Sequence, residues 1–253
     1  MSISTETLYD QASSDWTREK PMLLSDYTAR PFLLDWCEPV LDLDVLDLGC
    51  GEGYFARNLK RCGAGTIEAV DLSSEMIKKA VEEERRQGLG IRYRTGNATE
   101  LDDIPDKSFD RVVAVFLFNY LTCAQTLSAM KGVFRVLKPG GRFIFAVPHP
   151  SFAFNNRHEE PPFHFSAGDS GYFSGRDHLF EGKIYRRDGV GVPVRCVHKT
   201  LSDYFKCLQS AGFSGMPDIE ELGVTADMIT IDPDFFSPLV DHPLHLAFRI
   251  EKD

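Results

Sequence analysis

Two hydrophobic patterns alternate through the first 150 residues of the chain. Short apolar runs typical of buried strands are each followed by stretches whose apolar residues recur at helical spacing. The first run contains Val45, Leu46 and Leu48, and helical spacing follows it from Tyr54 to Leu59. Further strand-like runs occupy residues 66–70, 91–95, 109–116 and 142–147. This alternation predicts an α/β protein with a doubly wound, mostly parallel sheet.

A glycine turn separates the first predicted strand from its helix. Gly49, Gly51 and Gly53 allow backbone angles that side chains forbid, and they let a ligand approach the main chain closely. Their spacing, G-x-G-x-G, differs from the dinucleotide fingerprint G-x-G-x-x-G. A tight strand-to-helix turn is therefore one interpretation. The other is a binding site for a nucleotide-like ligand at the carboxyl edge of the sheet.

Asp71 comes just past the second predicted strand. In doubly wound folds a carboxylate at this position accepts hydrogen bonds from ribose hydroxyls. Capping of the next helix is the alternative role, but Ser73 and Ser74 are placed to cap that helix themselves. The pattern therefore favours Asp71 as a ligand residue.

Five segments in this order resemble the class I S-adenosylmethionine-dependent methyltransferases. They are VLDLGCGEGYFA, AVDLSSEMIKKA, GNATEL, FDRVVAVF and VLKPGGRFIFAVPHPSF. Within that family the chain resembles the ubiquinone-type and secondary-metabolite enzymes. The resemblance implies S-adenosylmethionine as cofactor and a seven-stranded sheet of order 3-2-1-4-5-7-6, whose last strand is antiparallel.

The resemblance also implies which residues bind the cofactor. They are Tyr9, Asp47, Gly49, Cys50, Gly51, Asp71, Leu72, Met76, Asn97, Ala98 and Phe116. Family members usually carry aspartate where this chain has Asn97. An amide oxygen can still accept a hydrogen bond from the adenine amine. An ordinary turn asparagine is the alternative.

The sequence predicts one domain with four parts. Residues 1–40 are expected to form a lid of one or two helices, with Pro21 and Pro31 marking starts or breaks. Residues 41–147 form the cofactor-binding core. Residues 148–198, rich in histidine and aromatic residues, are expected to form a substrate cap that includes short antiparallel strands at 182–187 and 192–198. Residues 199–253 supply a final helix and the last two strands.

Methyl transfer from a sulfonium requires alignment and exclusion of water more than it requires a base. Where a base is needed, His149 and His198 are the candidates, because the pKa of a free histidine lies near neutrality. For each histidine taken alone, a hydrogen-bonded structural side chain is the favoured interpretation. Tyr120 is expected either to orient a substrate hydroxyl or only to line the pocket. No carboxylate set suggests a metal site.

Composition limits the partners and the compartment. A net charge of −10 argues against nucleic acid as the main partner. The six cysteines form no C-x-x-C pair, no run is apolar enough to cross a bilayer, and the N-terminal residues lack signal-peptide features. We therefore expect a cytoplasmic protein without membrane contact. The oligomeric state is not indicated.

The leading hypothesis is a methyltransferase that acts on an oxygen or nitrogen of a small aromatic or heteroaromatic acceptor, with a role in secondary metabolism as one interpretation. An NAD-dependent oxidoreductase is an alternative, because Asp71 suits the ribose of NAD as well. Two features count against it: the third glycine of the G-x-G-x-x-G fingerprint is missing, and the LKPGG turn is present. A non-catalytic cofactor-binding protein of the same fold is a third hypothesis.

Overall fold

The computed structural model describes residues 4–16, 18, 20–155 and 161–253. The strands of this part are β1 (Val45–Leu48), β2 (Ile67–Asp71), β3 (Arg92–Thr95), β4 (Phe109–Val115), β5 (Leu137–Pro148), β6 (Phe163–Ser166), β7 (Leu179–Tyr185), β8 (Gly191–Val197), β9 (Asp218–Leu222) and β10 (His245–Glu251). The α-helices are α1 (Thr5–Trp16), α2 (Leu24–Tyr27), α3 (Ala29–Cys37), α4 (Tyr54–Arg61), α5 (Ser74–Gln87), α6 (Cys123–Val136), α7 (Phe152–Asn155), α8 (Leu201–Ala211), α9 (Ala226–Ile231) and α10 (Pro233–Phe236). Short 3-10 turns occupy Phe118–Tyr120 and Ser237–Leu239.

The seven-stranded sheet has the order β3-β2-β1-β4-β5-β10-β9, which confirms the predicted order. β1 lies between β2 and β4 and is parallel to both. β10, the last strand in sequence, is antiparallel to β5 and β9. All four residues of β1 are buried, because helices cover both faces of the sheet. The predicted α/β fold is therefore correct.

Apolar side chains fill both sides of this sheet. On one side α6 and α8 pack over Phe143 and Phe145, and Phe145 stacks on Phe248 of β10 with ring centroids 4.6 Å apart. On the other side, Leu33 of α3 and Phe55 of α4 belong to a second core cluster. The two cores hold the carboxyl ends of the parallel strands at one fixed edge.

Several predicted boundaries differ from the observed ones. The strand predicted at residues 142–147 begins earlier, at Leu137, so that residues 138–141 also belong to β5. Gly140 N–H donates to Lys252 O at 2.7 Å, and Lys252 N–H donates to Gly141 O at 2.9 Å. This long-range pairing with the C-terminal residues extends the strand, and no local sequence signal announces it.

The N-terminal segment contains three helices rather than one or two. Pro31 does not break a helix. It lies in the first turn of α3, where a proline is tolerated because the N–H groups there have no partner within the helix. Positions 1–3, 17 and 19 of the predicted lid lie outside the described residues.

The expected cap contains a separate antiparallel sheet of order β6-β7-β8. β7 and β8 correspond to the two predicted strands, whereas β6, α9 and α10 were not predicted. Residues 156–160 of the cap lie outside the described part. The cap sheet contacts the core through β8, which lies against α1 and the 3-10 turn after β4.

Candidate active site

A cavity of about 330 Å³ lies at the carboxyl edge of the sheet, beneath α1 and the cap. This volume is typical of a site for a small organic ligand. Every predicted cofactor residue lines it, and so does Tyr120: Tyr9, Asp47, Gly49, Cys50, Gly51, Asp71, Leu72, Met76, Asn97, Ala98, Phe116 and Tyr120. Their roles toward a ligand remain predictions.

Asp71 fixes the glycine loop from the neighbouring strand. Its Oδ2 accepts a hydrogen bond from Gly51 N–H at 2.8 Å, and its Oδ1 accepts one from Ser73 N–H at 2.9 Å. Each oxygen thus retains capacity for a further donor from the cavity. Burial raises the pKa of Asp71, and these two backbone donors oppose that shift.

Ser73 caps α5, as expected. Its Oγ accepts from Met76 N–H at 3.1 Å, so Asp71 is not needed as the cap. The Ser73 hydroxyl in turn donates to Asp10 of α1. The lid helix is therefore attached directly to the segment that follows Asp71.

The backbone is strained where β4 ends in the cavity. Phe116 has φ of 62°, an unusual value for a bulky residue that is not glycine. Such strain costs about 1–3 kcal/mol and concentrates at functional sites. Here it turns the chain from the buried strand toward the cavity wall, where the ring centroid of Phe116 lies 4.9 Å from that of His245.

Asp47 is a carboxyl group with 1% of its surface exposed at the base of the cavity. Burial, and after it the charge of Asp71, raises the pKa of Asp47 to about 7, although Arg30 opposes this. The Oδ2 atom has no hydrogen-bond partner among the described residues. Such a group favours a cationic ligand beside it, because the cation would stabilise its charged form.

The raised pKa of Asp47 predicts a pH-dependent stability. An unfolded aspartate has a pKa of about 3.9, so the folded protein holds the proton that the unfolded chain has lost between about pH 4 and pH 7. The free energy of unfolding of the ligand-free protein should therefore fall as pH rises through this interval. In Asp47→Asn this fall should be reduced. Chemical denaturation from about pH 5 to about pH 8 measures it.

Asp35→Asn is the matched control, because Asp35 is exposed outside the cavity. It should keep the pH profile of the wild type. Equal profiles for wild type and Asp47→Asn would show that Asp47 is ionised in the folded protein throughout the range.

Asn97 lines the cavity, but its side chain is engaged locally. Its Oδ1 accepts from Thr99 N–H at 3.0 Å and from the Thr99 hydroxyl at 2.9 Å, and its Nδ2 donates to Glu100. Both lone pairs of the amide oxygen are thus used. The turn interpretation of Asn97 describes the structure better than an adenine-binding side chain does.

The lid covers the cavity through an aromatic contact. The Tyr9 hydroxyl of α1 donates a hydrogen bond to the Tyr120 hydroxyl, and the two rings meet edge to face with centroids 5.2 Å apart. Tyr27, a second tyrosine within residues 1–40, lies outside the cavity wall, where its hydroxyl donates to Pro21 O. The structure therefore brings Tyr9, but not Tyr27, to the site.

Buried charges fix the remainder of the lid. Asp26 accepts from Arg18 Nε at 2.8 Å and Nη2 at 2.7 Å, and from Arg30 Nη1 at 3.1 Å. Burial would raise the pKa of Asp26, but the guanidinium groups of Arg30 and Arg18 outweigh it and the pKa is lowered. Arg18 and Arg30 both line the cavity, so positive charge lies near the acidic residues of its base.

The part of the cavity beneath the cap is mainly apolar. Its lining includes Trp16, Leu23, Leu24, Phe152, Phe163, Phe165, Ile184 and Val194. Phe152 stacks on Phe163 with centroids 3.9 Å apart. One cavity therefore joins a polar half around the glycine loop to an aromatic half under the cap.

The two predicted catalytic histidines do not reach this cavity. His149 is held between Ser151 Oγ and Glu221 Oε1, each at 2.8 Å from a ring nitrogen. His198 is buried, and its Nε2 is bonded to Tyr172 O at 2.7 Å. Both line a separate small void. The structural interpretation of each histidine is therefore the one that the geometry supports.

The histidine at the cavity wall is His245, which sequence reasoning missed. It begins β10 and pairs with Pro148 at the end of β5. It carries no local motif, and only the antiparallel return of the chain brings it to the active edge. Its position opposite a predicted strand end was the one available signal.

Two other kinds of site are absent from the described residues. No group of three or more His, Cys, Asp or Glu side chains there is arranged to hold a metal ion. None of the described helices is long and apolar enough to cross a membrane.

Comparison with known proteins supports this interpretation of the core. Residues 45–141 match the family model described as a methyltransferase domain. The ribosomal protein L11 methyltransferase of Burkholderia mallei (strain NCTC 10229) is 34% identical over 115 residues, which are 45% of this chain and 35% of that protein. The chain thus spans about a third of the length of this curated relative.

Solved structures extend the similarity beyond the core. An S-adenosylmethionine-dependent methyltransferase from Mesorhizobium loti is 25% identical, with a TM-score of 0.65 over 87% of this chain and 96% of that one. The geranyl diphosphate C-methyltransferase of Streptomyces coelicolor A3(2), solved with S-adenosyl-L-homocysteine, shares the fold at 13% identity, with a TM-score of 0.59 over 88% of this chain and 78% of that one. The predicted resemblance to the class I S-adenosylmethionine-dependent methyltransferases is confirmed, and residues 45–141 match a methyltransferase domain.

Proposed function

We propose that this chain transfers a methyl group from S-adenosylmethionine to an oxygen or nitrogen of a small, flat acceptor. One observation carries the proposal. A single covered cavity joins the glycine loop and Asp71 to an apolar wall of aromatic rings. A polar nucleoside donor and an apolar acceptor would therefore meet in a space shielded from water.

The polar half has groups that suit each part of the cofactor. Asp71 would accept hydrogen bonds from the ribose hydroxyls, and Leu72 and Ala98 would contact the adenine ring. Asp47 and Arg30 interact with each other at the cavity wall. Together they match the ammonium and carboxylate of an amino acid. When bound, S-adenosylmethionine supplies an electrophilic methyl group on a positively charged sulfur.

The chain contributes positioning and exclusion of water. Tyr9 and α1 cover the cavity from one side, and β8 of the cap covers it from another. Holding donor and acceptor in one geometry removes much of the entropic barrier to an in-line displacement. In the proposed reaction the side chains around the cavity therefore act by aligning the two molecules.

Because α1 and the cap cover the cavity, the site favours a small acceptor over a protein segment. The sequence match to the L11 methyltransferases covers only 45% of this chain. The aromatic half under the cap suits a ring that can stack on Phe152 or Phe163. A place in secondary metabolism is the finer part of the proposal, and it rests on the resemblance stated from the motifs.

Incubation with methyl-labelled S-adenosylmethionine and fractionated cell extract tests the proposal. Label should enter compounds that pass a small-pore filter, and Asp71→Ala protein should transfer far less label at the same subsaturating concentration of S-adenosylmethionine. Label confined to protein or ribosomes would contradict the small-molecule part. Binding without transfer to any fraction would favour a non-catalytic protein, and binding of NAD in place of S-adenosylhomocysteine would favour the oxidoreductase.

The lid contact leads to a separate prediction. Tyr9→Phe removes the donor to Tyr120, and a lost hydrogen bond of about 0.5–1.5 kcal/mol should weaken S-adenosylhomocysteine binding by about 3- to 10-fold. Isothermal titration calorimetry measures the dissociation constant. Tyr27→Phe, which alters a lid tyrosine outside the cavity, should leave the constant unchanged. Equal effects of the two substitutions would show that Tyr9 has no special role.

A further inference from the structure

The ring of His245 is held in one orientation by a short chain of hydrogen bonds. Its Nδ1 lies 2.7 Å from Thr28 Oγ1, and Thr28 Oγ1 lies 3.1 Å from Leu24 O. A threonine hydroxyl has one proton, and a carbonyl oxygen can only accept. Both contacts are hydrogen bonds only if Thr28 donates to Leu24 O and the Nδ1–H of His245 donates to Thr28. This arrangement leaves Nε2 as the unprotonated nitrogen.

Nε2 has no hydrogen-bond partner in the described part of the chain, although His245 is only 5% exposed. His245 lines the cavity and Thr28 does not, so the ring presents its Nε2 side to the cavity. Phe116 and Phe152 flank the ring, with centroids at 4.9 Å and 6.0 Å. An acceptor without a partner in the protein, at the wall of a cavity and between aromatic rings, is open to a donor from a ligand.

A second unsatisfied acceptor lies at the same wall. Asn119 is 3% exposed, lines the cavity, and has no hydrogen-bond partner for its Oδ1 among the described residues. The hydrogen bonds of the described residues therefore leave more than one acceptor at this wall without a donor.

We propose that His245 selects the methyl acceptor: its Nε2 accepts a hydrogen bond from an O–H or N–H group on an aromatic ring. This inference rests on the proposed function. Such a bond would fix the hydroxyl or amine of the acceptor next to Phe116 at the end of β4, where the polar half of the cavity begins. Thr28 acts as a positioning residue, because it sets the tautomer of His245.

The protonation state of His245 decides whether its ring only orients the methyl acceptor or also takes up the acceptor's proton. Burial, followed by the charges of Arg30 and His149, lowers the pKa of His245 to about 3. The imidazole is therefore neutral at physiological pH, and its role is to accept a hydrogen bond rather than to hold a proton.

The test uses protein labelled with ¹⁵N-histidine and saturated with S-adenosylhomocysteine, with phenol and toluene as probes of matched shape. The histidine spectrum should show Nδ1 protonated and Nε2 unprotonated. Phenol should shift the Nε2 signal and bind about 3- to 10-fold more tightly than toluene, as one hydrogen bond of about 0.5–1.5 kcal/mol requires. Toluene should leave the Nε2 signal unmoved.

Three variants separate this role from a structural one. His245→Phe should abolish the preference for phenol while the affinity for S-adenosylhomocysteine stays unchanged. Thr28→Val should shift proton occupancy from Nδ1 toward Nε2 in the spectrum. His149→Ala, at a histidine outside the cavity, should keep the preference for phenol.

Equal binding of phenol and toluene by the wild-type protein would overturn the inference, and so would a protonated Nε2 in that protein. Both results are read from the wild type, so they do not depend on how well a variant folds. Failure of S-adenosylhomocysteine to bind would instead overturn the proposed function, and this inference with it.

Discussion

Replacement of Asp71 by alanine is expected to weaken S-adenosylhomocysteine binding by about 100-fold or more. The carboxylate holds Gly51 N–H at 2.8 Å and Ser73 N–H at 2.9 Å, so its loss loosens the glycine loop. Under the proposed function it would also remove the acceptor of two ribose hydroxyls. Hydrogen bonds to a charged group contribute about 1.5–3 kcal/mol each, so losing two costs at least about 3 kcal/mol. Isothermal titration calorimetry measures the loss directly.

Two further variants define the cause. Asp71→Asn retains one oxygen acceptor and should lose less affinity than the alanine variant. Glu75→Ala removes a nearby negative charge from the first turn of α5, outside the cavity, and should bind as the wild type does. If Glu75→Ala weakened binding as much as Asp71→Ala, general electrostatics rather than the ribose contact would be responsible.

The second large effect is expected at Gly53, where α4 begins. Its φ is +84°, and a Cβ there would lie 2.5 Å from the Tyr93 hydroxyl oxygen. Left-handed backbone costs a side-chain residue about 1–2 kcal/mol, and overpacking costs a further 1–3 kcal/mol. Gly53→Ala should therefore lower the free energy of unfolding by about 2–5 kcal/mol. Urea denaturation without ligand measures this.

Gly88 supplies the matched control, because its φ is +65° but a Cβ there meets no atom within 4 Å. Gly88→Ala should cost only the backbone strain, about 1–2 kcal/mol. A loss in Gly53→Ala no larger than in Gly88→Ala would mean that the Tyr93 ring moves aside freely and that the turn does not depend on this packing.

The residues of the polar half of the cavity could be predicted from the sequence because their signals are local. The glycine loop, Asp71 and the Ser73 cap all lie within or next to short runs whose type the hydrophobic pattern indicates. Strand order at the carboxyl edge then places them together. The confirmed sheet order and the lining of the cavity by every predicted cofactor residue follow from this.

The lining of the aromatic half of the cavity could not be predicted in the same way, because it depends on contacts between distant segments. His149 follows the end of a predicted strand, where site residues are expected. Its ring nevertheless bonds to Glu221 of β9 and does not reach the cavity. His245 gained its place only because β10 runs antiparallel beside β5. Asn97 was predicted from the family pattern, whereas its geometry is set by Thr99 two residues on. The hydrogen-bond partners of these side chains depend on the folded structure and not on the local sequence pattern.

Titration of the wild-type protein with S-adenosylhomocysteine by isothermal calorimetry tests the central claim most directly. We predict binding of one molecule per chain with a submillimolar dissociation constant, and no heat with NAD under the same conditions. Absence of S-adenosylhomocysteine binding by folded protein would contradict the claim, because the glycine loop and Asp71 would then form only a strand-to-helix turn.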